Sequence, residues 1–174
     1  MSIEIIPVWQ QVTPELQAEL VEFWTTHKAI PHEGVAAERA KQAICITRDE
    51  DGKICGVSTA VIRVLPRLRQ PLYFYRQFFA EGVRGKKQSV PFLNRARQIL
   101  QEYNAGLETP ESLGVLLELE NQQLATHYTR AHEPAADSTF IGYSPRGLHL
   151  RVSYFDGARL LPPASPRRQK RTAA

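Results

Sequence analysis

This chain of 174 residues has little that could serve as a covalent or metal cross-link. It holds two cysteines, Cys45 and Cys55, with neither a CxxC pair nor a Cys/His ligand spacing, which excludes a disulfide framework and a zinc module. Both lie in apolar, strand-like segments and are read as buried thiols, a catalytic or redox cysteine being the alternative. No apolar run approaches the roughly 18 residues that cross a bilayer, so no membrane partner is expected. The opening MSIEIIPVWQQ lacks a cationic stretch ahead of an apolar core, which argues against a secretory leader and for the cytoplasm. Gly-x-Gly-x-x-Gly and Gly-x-x-x-x-Gly-Lys-Ser/Thr are also missing, which removes the usual dinucleotide and P-loop phosphate cradles.

An excess of either sign of charge is missing over most of the length. The stretch from Pro162 to Ala174 carries Arg167, Arg168, Lys170 and Arg171 and no acid, and these account for the whole formal charge of +4. Residues 1–161 are therefore neutral overall and read as a single domain, without an internal repeat or a linker. Residues 162–174 read as a basic tail expected to be disordered and solubilising. A weak contact with nucleic acid or an acidic partner is the alternative for the tail.

What is present is an alternation of strands and amphipathic helices. Ile3 to Val8 reads as a short strand. Thr13-Pro14 opens a helix with Leu16, Leu20, Phe23 and Trp24 on one face, and a shorter helix follows from Glu33 to Lys41. Ala43 to Arg48 and Ile54 to Leu65 form a hairpin about an Asp-Gly turn. Leu72 to Phe79 (LYFYRQFF) is an aromatic-rich central strand, and a cationic, glycine-containing loop leads from it to Ser89. A helix runs from Val90 to about Tyr103, with Ser89 as its expected N-cap. Val115 to Leu119 is apolar enough for a strand buried on both faces. Glu120 to His132 is predicted helical, and Thr139 to Tyr143 with Leu148 to Phe155 form a closing hairpin about Ser144-Pro145-Arg146-Gly147. Helices on a mixed sheet make an α/β (α+β) single domain.

Chemistry concentrates around the central strand and the helix after it. A helix N-terminus attracts anions through its unpaired amides, and Arg84, Lys86 and Lys87 crowd this one. A solvated cationic turn is the plainer reading. Asn121 and Tyr128 lie seven residues apart, about two helical turns, and so are expected on one helix face. A phenol suits the role of a general acid. A buried aromatic and an ordinary N-cap are the plainer readings of Tyr128 and Asn121. Glu118 and Glu120 point to one side of their strand's end by its two-residue period and are candidate bases. His127 and His132 are weaker alternatives.

The order strand, loop, helix, strand, helix, hairpin resembles the GCN5-related N-acetyltransferase (GNAT) superfamily, from Ile3 to Phe155. The stretch Arg84-Gly85-Lys86-Lys87-Gln88-Ser89 is similar to the loop with which that family holds the pyrophosphate of acetyl-CoA. Lys87 and Ser89 stand where its two glycines are usual. The family's Asn and Tyr are matched by Asn121 and Tyr128, while the usual Gly-Phe after that helix is replaced by His132-Glu133-Pro134.

The resemblance implies a mostly antiparallel central sheet whose fourth and fifth strands splay into a V. It implies an acyl-CoA donor held by backbone near Phe79 and Ala80, by Arg84 to Ser89, and by Asn121 and Tyr128. It implies transfer of an acetyl or short acyl group to an amine of a small molecule or protein, with Tyr128 protonating the departing thiolate. Acceptor recognition would lie near Trp24, His27, His32, Glu33, Tyr143, Arg146 and His149. A catalytically silent CoA-binding or protein-interaction module is the alternative, favoured by the Lys87 and Ser89 departures; a homodimer is left open.

Overall fold

The computed structural model describes residues 3–84 and 87–166. Eight strands form one sheet in the order β1-β2-β3-β4-β5-β8-β7-β6. They are β1 (Ile6–Pro7), β2 (Ala43–Arg48), β3 (Ile54–Leu65), β4 (Gln70–Phe79), β5 (Gly114–Leu119), β6 (His132–Glu133), β7 (Ser138–Tyr143) and β8 (His149–Tyr154). The helices are α1 (Pro14–Thr26), α2 (Glu33–Ala40), α3 (Ser89–Ala105) and α4 (Gln122–His127). Every pairing is antiparallel except β4 with β5.

Local chemistry sets most of these elements. Thr13 caps α1 by accepting a hydrogen bond from the Leu16 amide at 3.1 Å, and Leu20, Phe23 and Trp24 enter the core beneath it. The β2–β3 turn places Gly52 at φ +77°, where a Cβ would be strained. Asp49 braces that turn by accepting from the Asp51 and Lys53 amides.

The sheet separates two packed faces. Tyr73, Tyr75, Phe79, Val115, Leu117 and Leu119 pack with Phe92, Leu93, Ala96 and Leu100 of α3. On the other face, Ala43, Ile46 and Val57 pack under α1 and α2. Farther along that face, Leu72, Phe74, Leu116, Leu150 and Val152 form a third cluster against Leu65, Leu68 and Leu161.

Several sequence expectations shift. The first strand shrinks from Ile3–Val8 to Ile6–Pro7, because only that stretch reaches the edge of β2, with the Val8 amide continuing to the Ile44 carbonyl at 2.9 Å. The central strand begins at Gln70, two residues ahead of the expected Leu72. Gln88, not Ser89, is the N-cap of α3, and no side chain caps that end. The helix expected over 120–132 spans only Gln122–His127, and the chain beyond it supplies the edge strand β6, which the sequence pattern did not suggest.

Arg151 is tied to the chain that follows α4. Its side chain is fully buried (0% exposed) on β8. Its Nη2 donates to the carbonyls of Arg130 (2.8 Å), Ala131 (3.2 Å) and Ser138 (3.0 Å), and its Nε to Ser138 Oγ (3.0 Å). A buried guanidinium requires such acceptors.

Of the expected tail, residues up to 166 are described. Arg69 Nε donates to the Ala164 carbonyl at 2.7 Å, and Gln70 exchanges two bonds of 2.9 Å with the Leu161 backbone. Arg167, Arg168, Lys170 and Arg171 lie outside the described residues. Among those described, no helix is long and apolar enough to cross a membrane and no metal-binding group of His, Cys, Asp or Glu occurs.

Candidate active site

The parallel ladder between β4 and β5 is short. It joins Tyr73 to Val115, Phe74 to Leu116 and Tyr75 to Leu117 and then stops, although β4 continues to Phe79 and β5 to Leu119. The two strands therefore diverge, leaving an opening beyond Tyr75.

The backbone facing this opening follows from strand alternation. The Ala80 amide donates to Cys55 on β3, whereas the Pro71 carbonyl accepts from Leu113 on the β5 side. Odd residues of β4 thus turn their amides and carbonyls toward β5, so Gln77 and Phe79 present theirs to the opening. The Phe79 carbonyl accepts from Arg84 Nε at 2.8 Å, and Arg84 also lies over the Phe78 ring, 5.0 Å from its centroid. Both backbone groups of Ala80 are engaged within the chain, its carbonyl by Val83 and Arg84. The sequence-predicted pair Phe79 and Ala80 therefore divides: Phe79 faces the opening and Ala80 does not.

The N-terminus of the 17-residue helix α3 has no side-chain cap and no acid in its first turn. Its amides remain open to an anion. Gln88 and Ser89 form this end and are half-buried, and Lys87 is exposed beside it. Lys87 stands at φ +55°, the left-handed region that favours glycine. The backbone here has the shape a glycine would give it, although the side chain is lysine. Gly85 and Lys86 lie outside the described residues.

On the α3 side, polar groups beneath the opening are neutral. The Tyr75 hydroxyl donates to Gln77 Oε1 at 2.9 Å, and Cys45 Sγ lies 3.0 Å from Ser58 Oγ. Burial raises the Tyr75 hydroxyl well above its ordinary range, with Cys45 and Tyr128 adding to the shift. Burial likewise pushes the Cys45 thiol up to about 11. Tyr128 packs against this cluster, half-buried, with Arg151 Cζ 5.4 Å from its ring centroid. Its hydroxyl is raised chiefly by burial and secondarily by Glu133, with Arg151 opposing.

Asn121 and Tyr128 flank α4 instead of sharing its face. Asn121 is the N-cap, its Oδ1 accepting from Gln123 (2.9 Å) and Leu124 (3.3 Å), and Tyr128 is the C-cap. The plainer reading of Asn121 is thus the observed one for its carbonyl oxygen.

Glu118 and Glu120 belong to the opposite face. Glu118 pairs with Leu150 in the third core cluster, and its side chain is only 11% exposed. Arg146 of the β7–β8 turn donates to both carboxylates, to Glu120 at 2.8 Å. Glu120 also lies 3.9 Å from Arg76.

The expected acceptor-side residues scatter. Trp24 is a core residue of α1. His27 packs its ring on Phe23 and Phe78 at 4.9 and 6.0 Å between centroids. His32 is the N-cap of α2 and Glu33 its first residue. Tyr143 and His149 join Phe140 in an exposed aromatic cluster on the hairpin. His127 sits in the last turn of α4 and His132 contacts Thr139 and Asp137, both away from the carboxylate pair. The sequence reading missed Tyr75, Arg76 and Arg151; an arginine at an inward position of an apolar strand, as in Leu150-Arg151-Val152, was the available signal.

A mixed sheet opened at one parallel pair, with an uncapped helix N-terminus beside the opening, is the fold of the GCN5-related N-acetyltransferases. Solved structures agree. A GNAT superfamily phosphinothricin acetyltransferase from Sinorhizobium meliloti, in complex with AcCoA, superposes with a TM-score of 0.56 at 14% identity over 95% of this chain and 97% of that one. The Arabidopsis thaliana NAA60, in complex with a bisubstrate analogue, gives 0.52 at 17% identity over 88% and 99%. A GNAT-family acetyltransferase from Streptococcus pneumoniae gives 0.53 at 14% over 88% and 99%. No protein-family model and no curated protein sequence matches the chain.

Proposed function

We propose that this protein is a divergent GNAT acyltransferase, moving an acetyl or short acyl group from acyl-CoA to an amine. The observation that carries the reading is the opening between β4 and β5, with the Gln77 backbone and the Phe79 amide along one side and the uncapped end of α3 beside it. An extended amide-bearing arm pairs naturally with such an edge, and a pyrophosphate with such a helix end. The residues that would hold the donor are Gln77, Phe79, Lys87, Gln88 and Ser89, with Arg84, Gly85 and Lys86 in the same loop. Asn121 would contribute through its free amide nitrogen. The bound thioester would supply an activated acyl carbon and a thiolate leaving group.

The candidate acid and bases lie on opposite faces of the sheet. The amine would approach from the Glu118 and Glu120 side, its nitrogen forming the new C–N bond as the C–S bond breaks. The proton lost by nitrogen would pass to a carboxylate of that pair, directly or through water, as Arg146 shifts between them. Tyr128, kept protonated by burial, would deliver a proton to the departing sulfur.

Thermal unfolding with acetyl-CoA, free CoA and ATP tests the binding half of this reading. Ligand at about 100 times its dissociation constant adds roughly 2.7 kcal/mol to native stability. A rise with both CoA species but not ATP supports the donor; no shift at millimolar ligand overturns it. Release of free thiol in the presence of an amine then separates an enzyme from a silent binder.

A further inference from the structure

Three guanidinium groups from three separate elements meet on the α2 face of the sheet. Arg39 of α2, Arg63 of β3 and Arg76 of β4 line a groove of about 330 Å³, together with Phe74 and Gln42. Arg63 and Arg76 both lie against the Phe74 ring, 4.7 and 5.1 Å from its centroid, an attraction that helps hold both beside it. Arg76 is the first β4 residue past the last rung shared with β5. The groove therefore opens beside the diverging strands, on the face that carries Glu118 and Glu120.

Like charges gathered this way repel unless an anion joins them. The chain supplies little. Glu38 also lines the groove but is engaged by Lys41 at 2.7 Å. Glu120 stays 3.9 Å from Arg76 and is held by Arg146 at 2.8 Å. Among the described residues, Arg39 and Arg63 make no ion pair, and Arg76 Nε is buried without a hydrogen-bond partner. The Arg39 guanidinium is also held below its ordinary range, by burial first and then by Arg76.

From this geometry we infer that the acyl acceptor is a small amine bearing an oxyanion, a carboxylate or a phosphate, which Arg39, Arg63 and Arg76 clamp in the groove so that its amine reaches the opening. Planar guanidinium forks suit both oxyanions, and the volume suits a small molecule. The inference rests on the acyl-transfer reading for the role of the amine, but the anion site stands on its own residues.

The test titrates protein carrying 15N-labelled arginine, with and without saturating CoA, against three amines: phosphoethanolamine, β-alanine and ethanolamine. The Nε–H resonances of Arg39, Arg63 and Arg76 are followed. At least one anionic amine should shift all three and bind about ten-fold or more tighter than ethanolamine, a difference typical of charge-assisted contacts. The arm that responds tells carboxylate from phosphate. Arg63→Gln, at an exposed position, should keep the fold and reduce the preference below about three-fold. Equal binding of all three amines, no shift with either anionic one, or a preference untouched by Arg63→Gln overturns the inference. Failure of CoA itself to bind would sink the acyltransferase reading instead, and the CoA-free arm still reports on the groove.

Discussion

The two faces of the sheet at the β4–β5 opening are built from different chemistry. Toward α3 and α4, the groups beneath the opening are Tyr75, Cys45, Ser58 and Tyr128, all neutral and each raised pKa among them traced first to burial. Toward α2, they are Arg39, Arg63, Arg76, Glu118 and Glu120, all charged and mostly half-exposed. One strand serves both: alternation sends Tyr75 and Gln77 to the first face and Phe74 and Arg76 to the second. Under the proposed acyl transfer, this division would let a neutral thiol leave on one side and a charged acceptor bind on the other. Neutral surroundings keep a phenol protonated, and partly exposed guanidinium groups are placed to select an anionic ligand.

The largest way to break the comparison is to remove the one full charge buried on the neutral face. Arg151→Met would remove this donor from the Arg130 and Ser138 carbonyls and the Ser138 hydroxyl, while the Ala131 carbonyl keeps the Phe140 amide. The two buried acceptors on Ser138 cost about 1–3 kcal/mol each, so a loss of roughly 4 kcal/mol is expected. At 2–4 °C per kcal/mol, that lowers the melting temperature by about 8–16 °C. Calorimetry checks it; a fall below about 3 °C would mean that water replaces the guanidinium.

The neutral face should also fail at high pH. A thiol or phenol whose pKa is raised in the folded state binds its proton more tightly there, so the unfolded chain loses protons first. Cys45 moves from 9.0 to about 11. Its contribution is therefore complete below pH 9 and disappears between 9 and 11, an upper bound of roughly 2.7 kcal/mol at 1.36 kcal/mol per unit. The raised hydroxyls of Tyr75 and Tyr128 extend the decline above pH 10. Denaturant midpoints at pH 8, 9.5 and 11 measure it, and Cys45→Ala should flatten the first part of the fall. A slope unchanged by that substitution would remove the thiol as its cause.

Tyr128→Phe sharpens the comparison functionally. It keeps the ring beneath the guanidinium of Arg151 and removes only the proton donor. Turnover should drop by about 10²-fold with little change in CoA affinity, the usual range for losing a general acid. Because burial raises this hydroxyl, the wild-type protein should keep its acid form up to at least pH 10. Unchanged turnover would remove Tyr128 from the mechanism.

How much of this was legible in the sequence depends on the range of the forces involved. β2 and β3 were readable to the residue and α1 at its start, since the Asp-Gly turn, the Thr-Pro start and the apolar periods are local. The opening followed only from the resemblance, because no local pattern says where two strands part. The short α4 was illegible: Glu120 to His132 has helical composition, but its end pairs with β7 and meets Arg151, both distant in sequence. The arginine groove was illegible for the same reason. Arg39, Arg63 and Arg76 share no motif, and only the pairing of β3 with β4 under α2 brings them together. Local chemistry fixed the elements; the site lies where distant residues meet.

The smallest expected effect concerns Lys87. Its φ of +55° costs a residue with a Cβ about 1 kcal/mol, which glycine avoids, partly offset by glycine's greater freedom when unfolded. Lys87→Gly should thus raise stability by about 0.5 kcal/mol or leave it unchanged. Lys87→Glu keeps the strain and reverses the charge beside the α3 N-terminus. If that end receives the donor's pyrophosphate, the glycine variant should bind CoA within a few-fold of wild type and the glutamate variant about ten-fold more weakly. Calorimetric titration of both variants separates shape from charge. Equal weakening would mean that the ammonium itself holds phosphate, and no weakening in either would place the pyrophosphate elsewhere.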